Sequence, residues 1–277
     1  MPVYLSPYFL SILAALIAVL PFRAGGQGIN GPTGAQAWMM GGVSATSADV
    51  WSAANNPAAM CWLEKSQLGL YTEQRFMEKN LNLSHISGVW KNKWLHAGGQ
   101  IHYFGYEVFN QQRLGLSLGK KLSENLALGV QLNYLATNIR EYGNSGAWIL
   151  GMGVLYKPIP ELTTAINFYN INQARYKHSI NESVPAIARL GLSYEFSKKV
   201  TASIETEQTL NQKTIFRGGL RYQLHESIAL AIGAANNPVY YTFGVGLKMR
   251  QLKLDMASGF HEVFGFTPHL SLAFPLN

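Results

Sequence analysis

His85, His96, His102, His178, His225, His261 and His269 are the side chains best suited to hold a metal or relay a proton, and none stands at the spacing either task requires. There is no His-Glu-x-x-His pattern and no close His pair. A serine nucleophile fares no better, because the chain has neither a Gly-x-Ser-x-Gly elbow nor a phosphate-cradling glycine loop. A Ser/His pair assembled from distant strands stays open. No residue is assigned a catalytic role, no cofactor or metal is expected, and the chain reads as a non-enzyme. The single cysteine, Cys61, excludes an internal disulfide and reads as a packing residue.

More can be read from the polar side chains that recur at every second position. Gln131, Asn133, Glu195, Glu205, Arg217, Arg221, Gln223, Lys248, Lys253 and Asp255 share one register within runs whose other register is greasy. Mixed signs at this spacing predict cross-strand ion pairs and hydrogen bonds rather than a filter of one sign. Glu195, Arg217, Arg221, Lys253 and Asp255 are the candidate network, and mutual neutralisation by such groups implies a narrow or plugged lumen.

The elements that carry this pattern are strands. Leu126, Leu128, Val130, Leu132 and Tyr134 alternate with Ala127, Gly129, Gln131 and Asn133, and Val239, Tyr241, Phe243, Val245 and Leu247 alternate with polar or small residues. Strands are predicted near 67–76, 80–90, 94–104, 111–121, 126–138, 147–157, 161–171, 186–196, 200–209, 214–224, 227–235, 239–249, 252–260 and 268–276. That is about fourteen, an even number as single-chain membrane barrels require. Every second connection is tight, and the intervening ones, as at 139–146, 172–185 and 261–267, read as longer. By that parity the N-terminus and the tight turns are expected on the periplasmic side.

Composition agrees with a lipid-facing surface. Charged residues make up 13% of the 277, about half the roughly 25% of a soluble domain, beside 27 Gly, 14 Tyr and 13 Phe. The apolar stretch from Leu10 to Phe22, followed by small residues, predicts a cleaved leader over 1–26, shorter than the roughly 20 apolar residues of a membrane helix. Loss of Arg23 lowers the net charge from +7 to +6 (7 − 1), and no Lys/Arg run accompanies that excess, which argues against a nucleic-acid partner. Outer-membrane lipids are the expected surroundings. The fold class is therefore all-β, a transmembrane antiparallel barrel over 66–277, preceded by an irregular, Gly/Ala/Ser/Asn-rich segment over 27–65.

That segment carries a resemblance. Gly34-Ala35-Gln36-Ala37 leading to Met40-Gly41-Gly42-Val43, then Asn55-Asn56-Pro57-Ala58-Ala59, resembles the opening of FadL-like outer-membrane proteins, especially the PorV/PorQ group of bacteria with type IX secretion. The resemblance implies a hatch inside a fourteen-stranded barrel, with Trp38, Met39, Met40, Gly41, Gly42, Asn55, Asn56 and Pro57 as its residues. On turn chemistry alone, Asn56-Pro57 is an Asx-turn and the large apolar residues are packing residues.

Two functions follow from this resemblance. The first-ranked is an accessory of type IX secretion or surface-protein delivery, whose partners would be secretion-machinery or secreted surface proteins docking on rim aromatics Tyr176, Phe264 and Phe266. The alternative is a FadL-like channel through which a hydrophobic small molecule diffuses past the hatch.

Overall fold

A strand with one apolar and one polar or small face, repeated many times, leaves no edge exposed only when the sheet closes on itself. The computed structural model, which describes residues 29–141, 143–176 and 183–276, has that closure. The strands are β1 (Gln67–Gln74), β2 (Asn82–Trp90), β3 (His96–Gly105), β4 (Phe109–Lys121), β5 (Leu126–Ile139), β6 (Gly143–Ile159) and β7 (Leu162–Tyr169). They continue as β8 (Ile187–Ser197), β9 (Val200–Thr209), β10 (Ile215–His225), β11 (Ile228–Ala235), β12 (Tyr240–Met249), β13 (Leu252–His261) and β14 (Gly265–Pro275). Each pairs antiparallel with its sequence neighbours, and β1 meets β14 in register Gln67↔Pro275 to Glu73↔His269. The expected leader over 1–26 lies outside the described residues.

The two faces separate as the alternation predicts. Leu116, Val130, Ile204, Leu220, Ile232 and Phe243 project outward and are more than half exposed, whereas Gln131, Asn133, Arg217 and Asp255 face inward and are buried. Such an apolar belt around a closed barrel is the surface a bilayer covers. No helix among the described residues is long and apolar enough to cross a membrane.

Loop lengths keep the expected parity, but less widely than the sequence suggests. The connections foreseen at 139–146 and 261–267 shrink to 140–142 and 262–264, because β5, β6, β13 and β14 continue as hairpins beyond their apolar stretches. Polar residues above the lipid keep pairing although their sequence no longer alternates. Only 75–81 and 170–186 remain long, and both close the same end of the barrel, opposite the start of β1 and the finish of β14. We call the end where β1 starts and β14 finishes the terminal end, and the other the loop end.

The 170–186 connection is tied down at its base. Asn170, at φ 61°, accepts from Ala174 N–H (2.8 Å) and donates to Val184 O (2.8 Å). The Asn172 side chain continues the ladder beside β6, accepting from Leu150 N–H (2.9 Å) and donating to Trp148 O (2.9 Å). This anchoring turns Val184 and Tyr176 toward an apolar cluster at the loop end that includes Leu83, Phe104, Leu135, Ile149 and Tyr169.

Candidate functional site

Residues 29–65 contain helical turns α1 (Ala35–Met39) and α2 (Ser52–Asn55) and a 3-10 turn (Ala59–Trp62). They are too short to stand alone, and inward-facing groups of the wall hold them. Ala35 N–H donates to Ser271 Oγ (2.7 Å), Gly41 N–H to Thr242 Oγ1 (3.0 Å), Ser87 Oγ to Val50 O (2.8 Å) and Ser117 Oγ to Ala53 O (2.6 Å). These partners sit on β14, β12, β2 and β4, so the segment is gripped from several sides at once.

Small inward residues let backbone meet backbone. A Cβ on Gly219 would lie 2.6 Å from Met40 Cα, and one on Gly129 or Gly233 would collide with the Pro57–Ala58 or the Gly41 backbone. Gly41 and Gly42 take positive φ (73° and 87°), which turns the chain after α1 against the wall at β10–β12. The alternation of large outer and very small inner residues in the sequence is the imprint of this contact.

The resemblance residues hold the segment to itself. Asn55 exchanges two hydrogen bonds with Thr33 (both 2.9 Å). Asn56 accepts from Ala58 N–H (3.1 Å), an Asx-turn, and donates to Ala45 O (2.8 Å). Pro57 packs on the wall glycines, and Met39 and Met40 are buried. Cys61 is buried, and burial pushes its thiol up to about 11, so it stays protonated and inert.

The polar register divides into two unlike arrangements. On β8–β10, Arg217 lies directly opposite Glu205, and Arg189 opposite Glu207. Arg189 Nε reaches Glu207 at 2.6 Å, and Arg217 reaches Glu207 at 3.0 Å and Glu205 at 3.4 Å. Glu205 Oε2 also accepts from Ser44 N–H (2.8 Å) and Ala45 N–H (2.7 Å), while Arg189 donates to Asn30 O (3.0 Å). Buried charges are tolerable when paired in this way, with only Arg217 Nε of the cluster lacking a hydrogen-bond partner among the described residues.

From β12 through β14 to β4 the interface is built of rings. Trp38 stacks on His269 at 4.6 Å and contacts Tyr240 at 5.7 Å. Tyr71 lies parallel to His269 and beside Trp51, Trp51 meets His85, and His85 meets His102 at 3.8 Å. Arg113 closes the row, donating to His102 and lying over Tyr169. Both ring nitrogens of His85 and Nε2 of His269 lack a hydrogen-bond partner among the described residues. No group of three metal-ligating side chains forms among those residues.

Of the candidate network, Arg217 enters the charged cluster, while Lys253 and Asp255 pair separately at 3.2 Å, Lys253 also donating to Gln36. Arg221 meets only neutral Gln223 (3.4 Å), and Glu195 lies exposed at the terminal end, so these five side chains do not form one network. Arg189, Glu207, Tyr71, His85 and His102 were missed as site residues. The proposed rim does not assemble either. Tyr176 is half-buried against the interior, whereas Phe264 packs on Phe76 (4.7 Å) and Phe266 on Phe260 (5.0 Å) at the β13–β14 hairpin, far round the wall from β7.

With this geometry in hand, comparison with solved structures is informative. The CymD monoaromatic hydrocarbon channel superposes with a TM-score of 0.65 at 13% identity, covering 89% of this chain and 97% of that one. The fold is shared. A Pseudomonas aeruginosa FadL homologue gives 0.65 at 13% (88% and 98% covered), and the Pseudomonas putida toluene transporter TodX gives 0.63 at 12% (92% and 98%). No protein-family model and no curated protein matches the sequence. What this chain shares with them is the closed antiparallel barrel. At these identities the likeness is one of fold, and it does not single out the PorV/PorQ group.

Proposed function

We propose that this protein is a conduit through which a hydrophobic small molecule crosses the outer membrane, with residues 29–65 as its hatch. The observation that carries the reading is the aromatic row between hatch and wall. It offers flat apolar faces from Tyr240 to Tyr169, adjoining the apolar cluster at the loop end. Stacked rings slide or tilt at a cost of roughly 0.5–1.5 kcal/mol per pair, less than separating buried charges. Solved structures of like fold are described as hydrocarbon channels and a toluene transporter, which supports the same reading. The secretion-accessory reading, ranked first on sequence, has lost its rim: Tyr176 faces inward and away from Phe264 and Phe266. The N-terminus is taken to be periplasmic, as the parity of the shorter turns led us to expect.

Uptake of a labelled monoaromatic compound tests the proposal. Cells lacking the protein should take it up more slowly, and Trp38→Ala, which opens the aromatic row, should raise uptake several-fold above wild type at equal folded protein. Unchanged uptake in both strains, with a secreted protein co-purifying from gently solubilised membranes, would overturn it.

A further inference from the structure

At the terminal end the inward register continues past the hatch into open solvent, and there its character changes. The charged inward positions there are Lys121 on β4, Lys157 on β6, Arg221 on β10 and Lys248 on β12, with Lys253 at the start of β13 and Glu195 on β8, while Glu64, Glu124, Glu161 and Glu226 lie in the connecting segments of the same end. Lys248 stands directly opposite Lys253, a pairing that like charges disfavour. Lys253 is relieved by Asp255, but Lys121, Lys157, Arg221 and Lys248 form no ion pair among the described residues. Lys121 and Lys157 both lie over the Trp62 ring, at 5.0 and 5.5 Å. The loop end has no such excess: Arg140 pairs with Glu107 (3.3 Å), and Lys79 and Lys213 are balanced by Glu78 and Glu262.

We propose that this cationic mouth is a docking site for an extended acidic segment of a soluble protein on that side of the membrane. Direction excludes lipid head groups as the natural occupant, because the inward register faces the barrel axis and the wall stands between these side chains and the bilayer. Size excludes a single small anion. From β4 to β12 is eight strand spacings, about 40 Å of wall at roughly 4.8 Å each, so several charges must be met at once. Trp62 supplies an aromatic floor on which two of the cations are already held. The inference does not depend on what crosses the lumen.

The test uses the full chain in neutral phosphatidylcholine nanodiscs and a fluorescent polyglutamate peptide of about twenty residues, read by anisotropy at low and high salt. Wild type should bind, with salt-sensitive affinity. Joint Lys121→Gln, Lys157→Gln, Arg221→Gln and Lys248→Gln substitution should weaken binding at least about tenfold, whereas Arg140→Gln with Lys213→Gln at the loop end should leave it unchanged. If the fourfold variant does not fold, Arg221→Gln with Lys248→Gln should still weaken binding about threefold. No binding by wild type at low salt, or equal loss in the loop-end variant, would overturn the proposal. So would unchanged peptide binding in a mouth variant that instead retains less phosphatidylglycerol, since the site would then be one for lipid.

Discussion

Residues 29–65 meet the wall in two different ways on opposite sides of the same lumen. Against β8–β10 the segment is fastened by a cluster of paired charges, in which Glu205 takes the N–H groups of Ser44 and Ala45 and Arg189 the carbonyl of Asn30. Against β12–β14 and β1–β4 it is held by single hydrogen bonds to Ser271, Thr242, Ser87 and Ser117 and by a row of rings, several of whose nitrogens have no partner among the described residues. A charged contact has one good geometry and a steep cost for leaving it, whereas stacked rings tolerate sliding. The difference teaches that one side is fixed by shared charges and the other by single hydrogen bonds and ring packing.

Removing an acceptor from the charged side should have the largest effect. Glu205→Ala strands two buried N–H groups and leaves Arg217 with Glu207 alone, and should cost about 3–5 kcal/mol. The denaturant midpoint for loss of the compact gel band reads this, and a cost below about 1 kcal/mol would erase the contrast between the sides. A smaller loss, about 1–3 kcal/mol by the same assay, is expected for Gly233→Ala, whose new methyl presses on the Gly41 backbone. Equal stability of that variant and wild type would mean that the hatch does not lie against β11. The smallest change is expected on the aromatic side. His85→Phe keeps the ring and removes two unpartnered nitrogens, so stability should move by less than about 1 kcal/mol in either direction. A loss as large as that of Glu205→Ala would show that His85 is as firmly fastened as the charges.

The wall was legible in the sequence because lipid demands apolar residues at every second position: β5, β10 and β12 lie within one or two residues of the stretches read from alternation. Where lipid stops, the signal stops. Hence β6 begins at Gly143, in polar sequence that had read as a loop. The charged cluster was half visible: Glu205 and Arg217 were noted, but Glu207 and Arg189, two residues along or one strand over, needed the register Arg189↔Glu207 to be known. The histidines looked scattered because they are joined only by pairing. His85 and His102 are seventeen positions apart (102 − 85) and become neighbours through the β2–β3 register. Glu195 and Tyr176 failed as site residues for a different reason: alternation tells which way a side chain points in the wall, but not how far along the axis the hatch extends or how a connection folds back.

The bond from Ala35 N–H to Ser271 Oγ spans 236 residues and lies beside the seam where β1 meets β14. A contact so distant in sequence forms late, after nearly all of the chain is in hand. Yet the segment that makes it comes first in the chain, and the glycine-lined wall leaves little clearance to thread it in afterwards. A wall wound hairpin by hairpin around these early residues, and joined last where β1 meets β14, would satisfy both demands.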